Sequence, residues 1–286
     1  MKANFKKALA RVLVHEGGRV DDARDPGGRT NQGVIQRVYD DYRKSKGQVT
    51  RDVYSITDAE RDEIYRRRYW DVIEADKLPS GVDYVVFDGA VNSGPSQSVK
   101  WVQRALGAAY QGRVDGQMGM TTLRAIEDYA DHDALIAAIC ARRLDFLDNL
   151  KTWRTFGKGW SARVAGVKAT GQAWARNTAA PPPEAIPDSA AKARIEDMKP
   201  LPVKATADAA AGAGGSLALI SQAVDQSKSQ LSAFSDVEIV NKGLLVLTVI
   251  GLVLLAAGIA YRWYAARKTK DRLDALDLNP AARREG

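Results

Sequence analysis

The feature that most constrains this chain is an uncharged run of 19 residues, 243–261, with the sequence GLLVLTVIGLVLLAAGIAY. As a helix rising about 1.5 Å per residue, the run would span roughly 29 Å, which matches the hydrocarbon thickness of a bilayer. A buried core helix is the alternative, but the neighbouring sequence offers nothing that could surround such a helix. We therefore predict one transmembrane helix over residues 239–266 and a basic tail over residues 267–286.

Charge around this run predicts its orientation. An aromatic belt of Tyr261, Trp263 and Tyr264 is followed by five basic residues, Arg262, Arg267, Lys268, Lys270 and Arg272. The positive-inside rule then predicts a single-pass protein of the inner (cytoplasmic) membrane whose N-terminal body is periplasmic. The N-terminus has no apolar signal run and no cleavage site, so export would need another route. The routes are the C-terminal helix as its own late signal, a pore made by a partner such as a holin, or a dedicated secretion system. The sequence alone leaves the orientation open.

Composition divides the rest of the chain. Residues 1–176 contain five of the six tryptophans and indicate a globular body, in which we predict two parts, 1–95 and 96–176. Six of the ten prolines lie between residues 181 and 202. Residues 177–238 have too little large apolar surface to offset their ordering entropy. They are predicted to form a flexible linker, with a short helix near residues 189–198.

Charge and cysteine content limit the partners. The single cysteine, Cys140, forbids an intramolecular disulfide, and with only two histidines a Cys/His zinc site is implausible. The net charge of +7 suits an anionic partner such as a cell-wall polymer, a membrane surface or a nucleic acid. Nucleic acid is disfavoured, because the chain has no glycine-rich phosphate loop, zinc signature or RNA-binding motif.

A carboxylate near the start of the chain has the context of a general acid. Apolar spacing predicts a first helix over residues 4–15, and the sequence His15-Glu16-Gly17-Gly18 then ends that helix. The negative end of the helix dipole, together with partial burial, disfavours the ionised form of Glu16, as a general acid requires. The alternative is a solvated glutamate beside a helix end.

The next motif supplies two more groups of the same chemistry. Asp25-Pro26-Gly27-Gly28 predicts a turn, and a hairpin there would fold Asp25 and Thr30 back toward Glu16. Glycoside hydrolysis needs a proton donor on one side of the bond and a carboxylate or water-orienting group on the other. The alternatives are a turn-stabilising role for Asp25 and a helix N-cap role for Thr30.

These motifs are part of an ordered series along residues 4–174. The series comprises HEGG at 15–18, DPGGRTNQGV at 25–34, IYRRRYWD at 64–71, FDGAVNSGP at 87–95, KTW at 151–153 and FGKGW at 156–160. It resembles glycoside hydrolase family 108, the phage-type and secretion-associated N-acetylmuramidases. The resemblance implies a mainly α, lysozyme-like domain with a small β-hairpin at the cleft. It also implies that Glu16 is the catalytic acid.

From this resemblance we expect hydrolysis of the β-1,4 bond between N-acetylmuramic acid and N-acetylglucosamine in peptidoglycan, by an endolysin or a secretion-associated lysozyme. Asp25 and Thr30 would stabilise positive charge or position water. No metal or organic cofactor is implied. The residues assigned to substrate binding are His15, Gly17, Gly18, Asn31 and Asn92, with packing the alternative for His15 and turn chemistry for Asn92.

Residues 114–122, VDGQMGMTT, resemble the V-D-G-x-x-G-x-x-T signature of peptidoglycan-binding helical domains. Such a module would hold the enzyme on its polymer, whereas the alternative is that this region only completes the lysozyme core. A function of another class also stays open. The body would then be a non-catalytic, membrane-anchored peptidoglycan-binding module of a lysis or secretion complex.

Overall fold

The computed structural model describes residues 4–20, 29–199 and a few residues between 256 and 264. Met1–Lys199 form one compact unit. Asp25, the linker from residue 200 onward, most of the predicted transmembrane span 239–266 and the basic tail 267–286 lie outside the described residues. Within the part of the chain that the structure describes, no helix is both long and apolar enough to cross a bilayer.

The body is mainly helical and carries a small antiparallel sheet, which confirms the predicted class. The helices are α1 (Phe5–Glu16), α2 (Gln36–Ser45), α3 (Asp58–Tyr65), α4 (Val82–Ser93), α5 (Pro95–Ala105), α6 (Met120–Glu127), α7 (His132–Asp148) and α8 (Trp153–Ala175). The strands are β1 (Arg19–Val20), β2 (Thr30–Asn31) and β3 (Val34–Ile35). They pair in the order β1-β2-β3, with Arg19 opposite Asn31 and Asn31 opposite Val34.

Local sequence signals explain several helix ends. At the start of α3, the Thr57 hydroxyl accepts a hydrogen bond from the Glu60 backbone N–H while the Glu60 carboxylate accepts one from Thr57, which is a capping box. α4 ends before Gly94, and Pro95 occupies the first turn of α5, where its missing N–H costs nothing. Thr30 lies in β2 and the N-cap of α2 is Ile35, so the helix-cap alternative for Thr30 is wrong.

The core surrounds α4, which packs against α1, α5, α7 and α8. On one side, Trp70 makes edge contacts with Phe5 and Phe87 at ring-centroid distances of 5.4 and 5.2 Å. On the other, Trp101 of α5 lies 5.5 Å from Phe146 of α7. This one apolar cluster crosses the predicted part boundary at residues 95/96, so the region after residue 96 completes the core.

The structure corrects the start of the linker. Residues 181–199, here called the strap, pack along the body instead of leaving it. The indole N–H of Trp160 donates to the carbonyl of Ala191 at 2.8 Å, and Met198 forms a β-bridge with Leu150. The expected helix near residues 189–198 is reduced to a 3-10 turn, Ile195–Asp197. Composition misses this packing because the strap is held mainly through backbone groups, which a count of apolar side chains does not register.

Candidate active site

Glu16 occupies the last turn of α1, immediately before Gly17 turns the chain away with φ +73°. Its side chain is only 1% exposed. The two carboxylate oxygens have different partners. Oε1 accepts two hydrogen bonds of 3.1 Å from the guanidinium of Arg163, and Oε2 accepts one of 2.6 Å from Nζ of Lys192. Both partners are far from Glu16 in the sequence and lie toward the C-terminal end of the compact unit Met1–Lys199.

Arg163, on α8, is fixed by Asp88 on α4. Its Nε lies 3.1 Å from both Asp88 oxygens, and its terminal nitrogen donates to Oδ2 at 2.9 Å. Arg143 of α7 adds a 2.6 Å hydrogen bond to Oδ1 of Asp88. We call Glu16, Asp88, Arg143 and Arg163 the buried quartet. It contains two carboxylates and two guanidiniums, so its formal charges balance, as buried ionic groups require.

The electrostatics of Asp88 reflect this pairing. Burial alone would raise the pKa of Asp88, but the charges of Arg163 and Arg143 and the hydrogen bonds from Arg163 hold it well below its usual range. Asp88 therefore stays ionised, and it keeps the guanidinium of Arg163 in one orientation. That orientation directs the two terminal nitrogens of Arg163 at Glu16.

The turn between β2 and β3 packs directly on Glu16. Gly33 in this turn has φ +77°, and a Cβ placed on it would lie 2.9 Å from Oε2 of Glu16 and 2.2 Å from the Tyr65 hydroxyl. Only glycine allows this approach, both for its backbone angle and for its size. The Tyr65 hydroxyl donates to the carbonyl of Gln32 at 2.9 Å and holds the turn in place. The turn on Glu16 is thus the one between β2 and β3, whereas the predicted turn at residues 25–28 lies outside the described residues.

A cleft of about 630 Å³ opens beside this turn. Its walls are the β2–β3 turn with the start of α2, the α4–α5 junction, the aromatic pair Tyr65 and Tyr69, and strap residues 192–196. By sequence alone, Tyr65, Tyr69 and Trp70 could pack in the core or line a cleft. Trp70 is fully buried in the core, whereas Tyr65 is buried and Tyr69 half-buried, and both line the cleft.

The structure places the predicted substrate-binding residues in three different settings. Asn92 lines the cleft, but its side chain already accepts from Arg143 at 3.2 Å and donates to Ala191 at 2.9 Å. Asn31 is buried and donates to the carbonyl of Val53. His15 is partly buried, with Nδ1 3.4 Å from the Ser189 hydroxyl, and burial lowers its pKa.

Among the remaining predicted residues, Gly17 and Gly18 are exposed, and the carbonyl of Gly18 accepts a hydrogen bond from Gln32 at 3.3 Å. Thr30 lies in β2, the strand that leads into the turn on Glu16. Asp25 lies outside the described residues. The catalytic roles of Glu16, Asp25 and Thr30, and the binding roles of the others, stay predictions.

Sequence reasoning missed Arg163, Asp88 and Lys192 as site residues. One signal could have found Asp88: it is the one charged residue in the otherwise uncharged stretch 84–91, which lies in the buried helix α4. A charge in such a helix requires a buried partner of opposite sign. Nothing local identifies Arg163 and Lys192, which are 147 and 176 residues away from Glu16.

Two family models and a solved structure match this chain. Residues 9–94 match the family model described as Glycosyl hydrolase 108, and residues 97–165 match the model described as Predicted Peptidoglycan domain. The solved structure of Brucella abortus SagA is 37% identical, with a TM-score of 0.53, and the match covers 62% of this chain and 98% of that chain. The chain belongs to glycosyl hydrolase family 108. No protein with a curated function is significantly similar in sequence.

Membership of family 108 makes the chain a lysozyme-like, peptidoglycan-degrading glycoside hydrolase of the N-acetylmuramidase type. The second match supports peptidoglycan as its ligand. The buried quartet joins the two matched regions, because Glu16 and Asp88 lie in the first and Arg143 and Arg163 in the second.

Proposed function

We propose that this family 108 enzyme hydrolyses the β-1,4 bond between N-acetylmuramic acid and N-acetylglucosamine, with Glu16 as the general acid. One observation carries the proposal: the two oxygens of Glu16 have unlike surroundings. Oε1 is held by the fixed guanidinium of Arg163, while Oε2 meets Gly33 and Lys192, which both line the cleft. A general acid needs a positioned carboxyl group and one oxygen that the substrate can reach, and here the groups that cover Oε2 of the buried Glu16 are the ones that line the cleft.

In this proposal the glycan lies along the cleft and displaces Lys192 from Glu16. Oε2 of Glu16 then takes up a proton from solvent and delivers it to the leaving glycosidic oxygen. Tyr65 and Tyr69 supply aromatic surface beside the sugar rings. Asp25 and Thr30 act on the opposite side of the bond, where they stabilise developing positive charge or orient water. The support for Thr30 is its place in the strand that leads into the turn on Glu16.

We also propose that the chain is anchored in the inner membrane by residues 239–266 and that its body works in the periplasm. The support is the uncharged run and the basic tail that follows it. A holin or a secretion-system protein would then provide the export route. Protease added to intact spheroplasts tests the orientation, since a periplasmic body is digested and a cytoplasmic body is protected.

The test of the catalytic proposal compares the wild type with Glu16→Gln, using the full chain in mild detergent and purified peptidoglycan sacculi. Removal of a general acid typically lowers the rate by a factor of about 10² to 10⁴. We expect that loss with binding to sacculi retained, and new reducing muramic acid ends in the wild-type digest. The matched control is Glu127→Gln, which removes an exposed carboxylate at the end of α6.

Two results would contradict the proposal. Equal turnover by wild type and Glu16→Gln would remove Glu16 from the acid role. No turnover by either, with both proteins still pelleting with the sacculi, would favour the non-catalytic peptidoglycan-binding module.

A further inference from the structure

We propose that the strap, residues 181–199, is an autoinhibitory segment that forms one wall of the cleft and covers the catalytic oxygen of Glu16 until peptidoglycan displaces it. The inference rests on the proposed role of Glu16 and adds a regulation of that same site. Four observations carry it: the contact of Lys192, the backbone pairing of the strap, its share of the cleft wall and its fit to one glycine of α8.

Lys192 blocks the oxygen that the reaction uses. Its Nζ lies 2.6 Å from Oε2 of Glu16 and also donates to the carbonyl of Val91 at 3.1 Å. The buried quartet is already balanced in charge, so Glu16 does not need this cation to be stable in the interior. The Lys192 side chain is 33% exposed and approaches from the cleft side, whereas Arg163 is fully buried. A bound glycan and Lys192 therefore compete for the same oxygen.

The strap also pairs with the polar groups that surround the site. The carbonyl of Ala191 accepts from the side chain of Asn92, and the backbone N–H of Ala193 donates back to the carbonyl of Asn92 at 3.1 Å. The carbonyl of Ser189 accepts from Arg163 at 3.0 Å. Residues 192–196 form one wall of the cleft. The hydroxyls and acetamido groups of a glycan need the same kinds of donors and acceptors.

The contacts of the strap are weak enough for its displacement to be reversible. A tethered segment competes at a high effective concentration, of the order of millimolar for a short link. Each hydrogen bond that holds the strap nevertheless contributes only about 1 kcal/mol net, because water replaces it on opening. A polymer that presents many repeating units to the cleft can therefore displace the strap, whereas an isolated sugar competes poorly.

Gly159 of α8 shows how closely the strap approaches the body. A Cβ at this position would lie 2.5 Å from the carbonyl oxygen of Pro187 and 3.0 Å from the backbone nitrogen of Ser189. Gly166 lies on the same helix, and a Cβ there would meet nothing within 4 Å. Alanine is about 1 kcal/mol more favourable than glycine inside a helix. Gly159→Ala should consequently displace the strap without weakening α8, and Gly166→Ala is its matched control.

The experiment measures turnover of sacculi by the full chain in detergent. We expect Gly159→Ala to be about five- to tenfold faster than Gly166→Ala, which corresponds to the loss of about 1 to 1.4 kcal/mol of strap contacts. Lys192→Gln tests the charged contact and should also raise the rate. Its matched control, Lys158→Gln, removes an exposed lysine of α8 and should leave the rate unchanged.

A second readout is independent of turnover. The affinity for a tetramer of N-acetylglucosamine, which lacks the muramic acid bond, should be several-fold tighter in Gly159→Ala than in Gly166→Ala. Hydrogen exchange of residues 186–199 should be slow in the wild type and fast in Gly159→Ala. If no variant turns over sacculi, the muramidase proposal fails, and the affinities still decide whether the strap occludes the cleft. Equal rates and equal affinities across the variants, or fast exchange of the strap in the wild type, would overturn the inference.

Discussion

Two glutamates of this protein lie in clusters of similar composition but differ in the groups that hold their oxygens. Glu16 at the cleft and Glu60 at the start of α3 each contact two basic side chains. Glu60 also accepts hydrogen bonds from the Tyr39 hydroxyl at 3.0 Å and from both the backbone and the hydroxyl of Thr57 at 2.9 Å. Every one of these partners of Glu60 lies within 21 residues of it.

The difference lies in how the oxygens are used. Both oxygens of Glu60 are occupied by groups fixed in its own helices and turns, so this carboxylate can only hold structure together. Glu16 has one oxygen on the buried Arg163 and the other on Lys192 of the strap. Such a carboxylate keeps its position through Oε1 and can bind a ligand through Oε2 once Lys192 has moved away. The groups that hold each oxygen therefore distinguish a structural carboxylate from a candidate catalytic one, whereas the number of nearby charges does not.

The largest expected effect comes from removing the anchor of the Glu16 cluster. Asp88→Asn leaves Arg143 and Arg163 with one buried carboxylate in place of two, and breaking such a pair costs about 3–5 kcal/mol. Denaturant unfolding measures the loss. Asp128→Asn, an exposed carboxylate after α6, should change the unfolding free energy by less than about 0.5 kcal/mol. A loss below about 1 kcal/mol for Asp88→Asn would mean that the quartet is not a unit.

Arg163→Lys tests positioning with the charge retained. A lysine keeps the positive charge but cannot donate simultaneously to Glu16, Asp88 and the Ser189 carbonyl, as the forked guanidinium does. Lost charge-assisted hydrogen bonds of about 1.5–3 kcal/mol predict a fall in kcat of roughly ten- to a hundredfold. Because Arg163 acts through Glu16, KM should change little. Arg154→Lys, on the exposed start of α8, is the control, and equal kinetics for both variants would count against a positioning role.

The smallest expected effect is the loss of stability on substitution of Glu60. Burial alone would raise the pKa of Glu60, but hydrogen bonds from Thr57 and Tyr39 and the charge of Arg51 lower it to about 2. Its unfolded value is near 4.3, so the stabilisation is complete above about pH 4.3 and disappears as the pH falls toward 2. Glu60→Gln should cost roughly 1 kcal/mol at pH 7, from the cap and its hydrogen bonds, and leave turnover intact.

Thermal unfolding from pH 7 to pH 2 measures this dependence. The difference between wild type and Glu60→Gln should narrow below about pH 4.3, whereas Glu127→Gln should follow the wild type throughout. A difference in unfolding temperature that stays constant with pH would show that the charge of Glu60 adds no stability beyond that of a neutral side chain of the same shape.

The same comparison explains what the sequence could predict. The first helix is predicted from neighbours a few residues apart, and the structure confirms it. The capping box of Thr57 and Glu60 and the break before Pro95 depend on equally local signals. The partners of Glu16 depend on tertiary packing across more than 140 residues, which no local pattern encodes. The packing of the strap could not be predicted either, because it is held mainly through backbone groups. These groups are the same in every sequence and leave no signal in the composition.

One consequence follows from the course of α8 (Trp153–Ala175), which lies mostly within the second family match yet delivers Arg163 to Glu16. The two matched regions look like interchangeable modules along the chain, but they cannot be exchanged freely. A chimaera that takes residues 97–165 from an unrelated wall-binding protein would lose Arg163, the residue that holds Oε1 of Glu16. A chimaera keeps the contact with Asp88 only if its second region supplies an arginine at the position of Arg163.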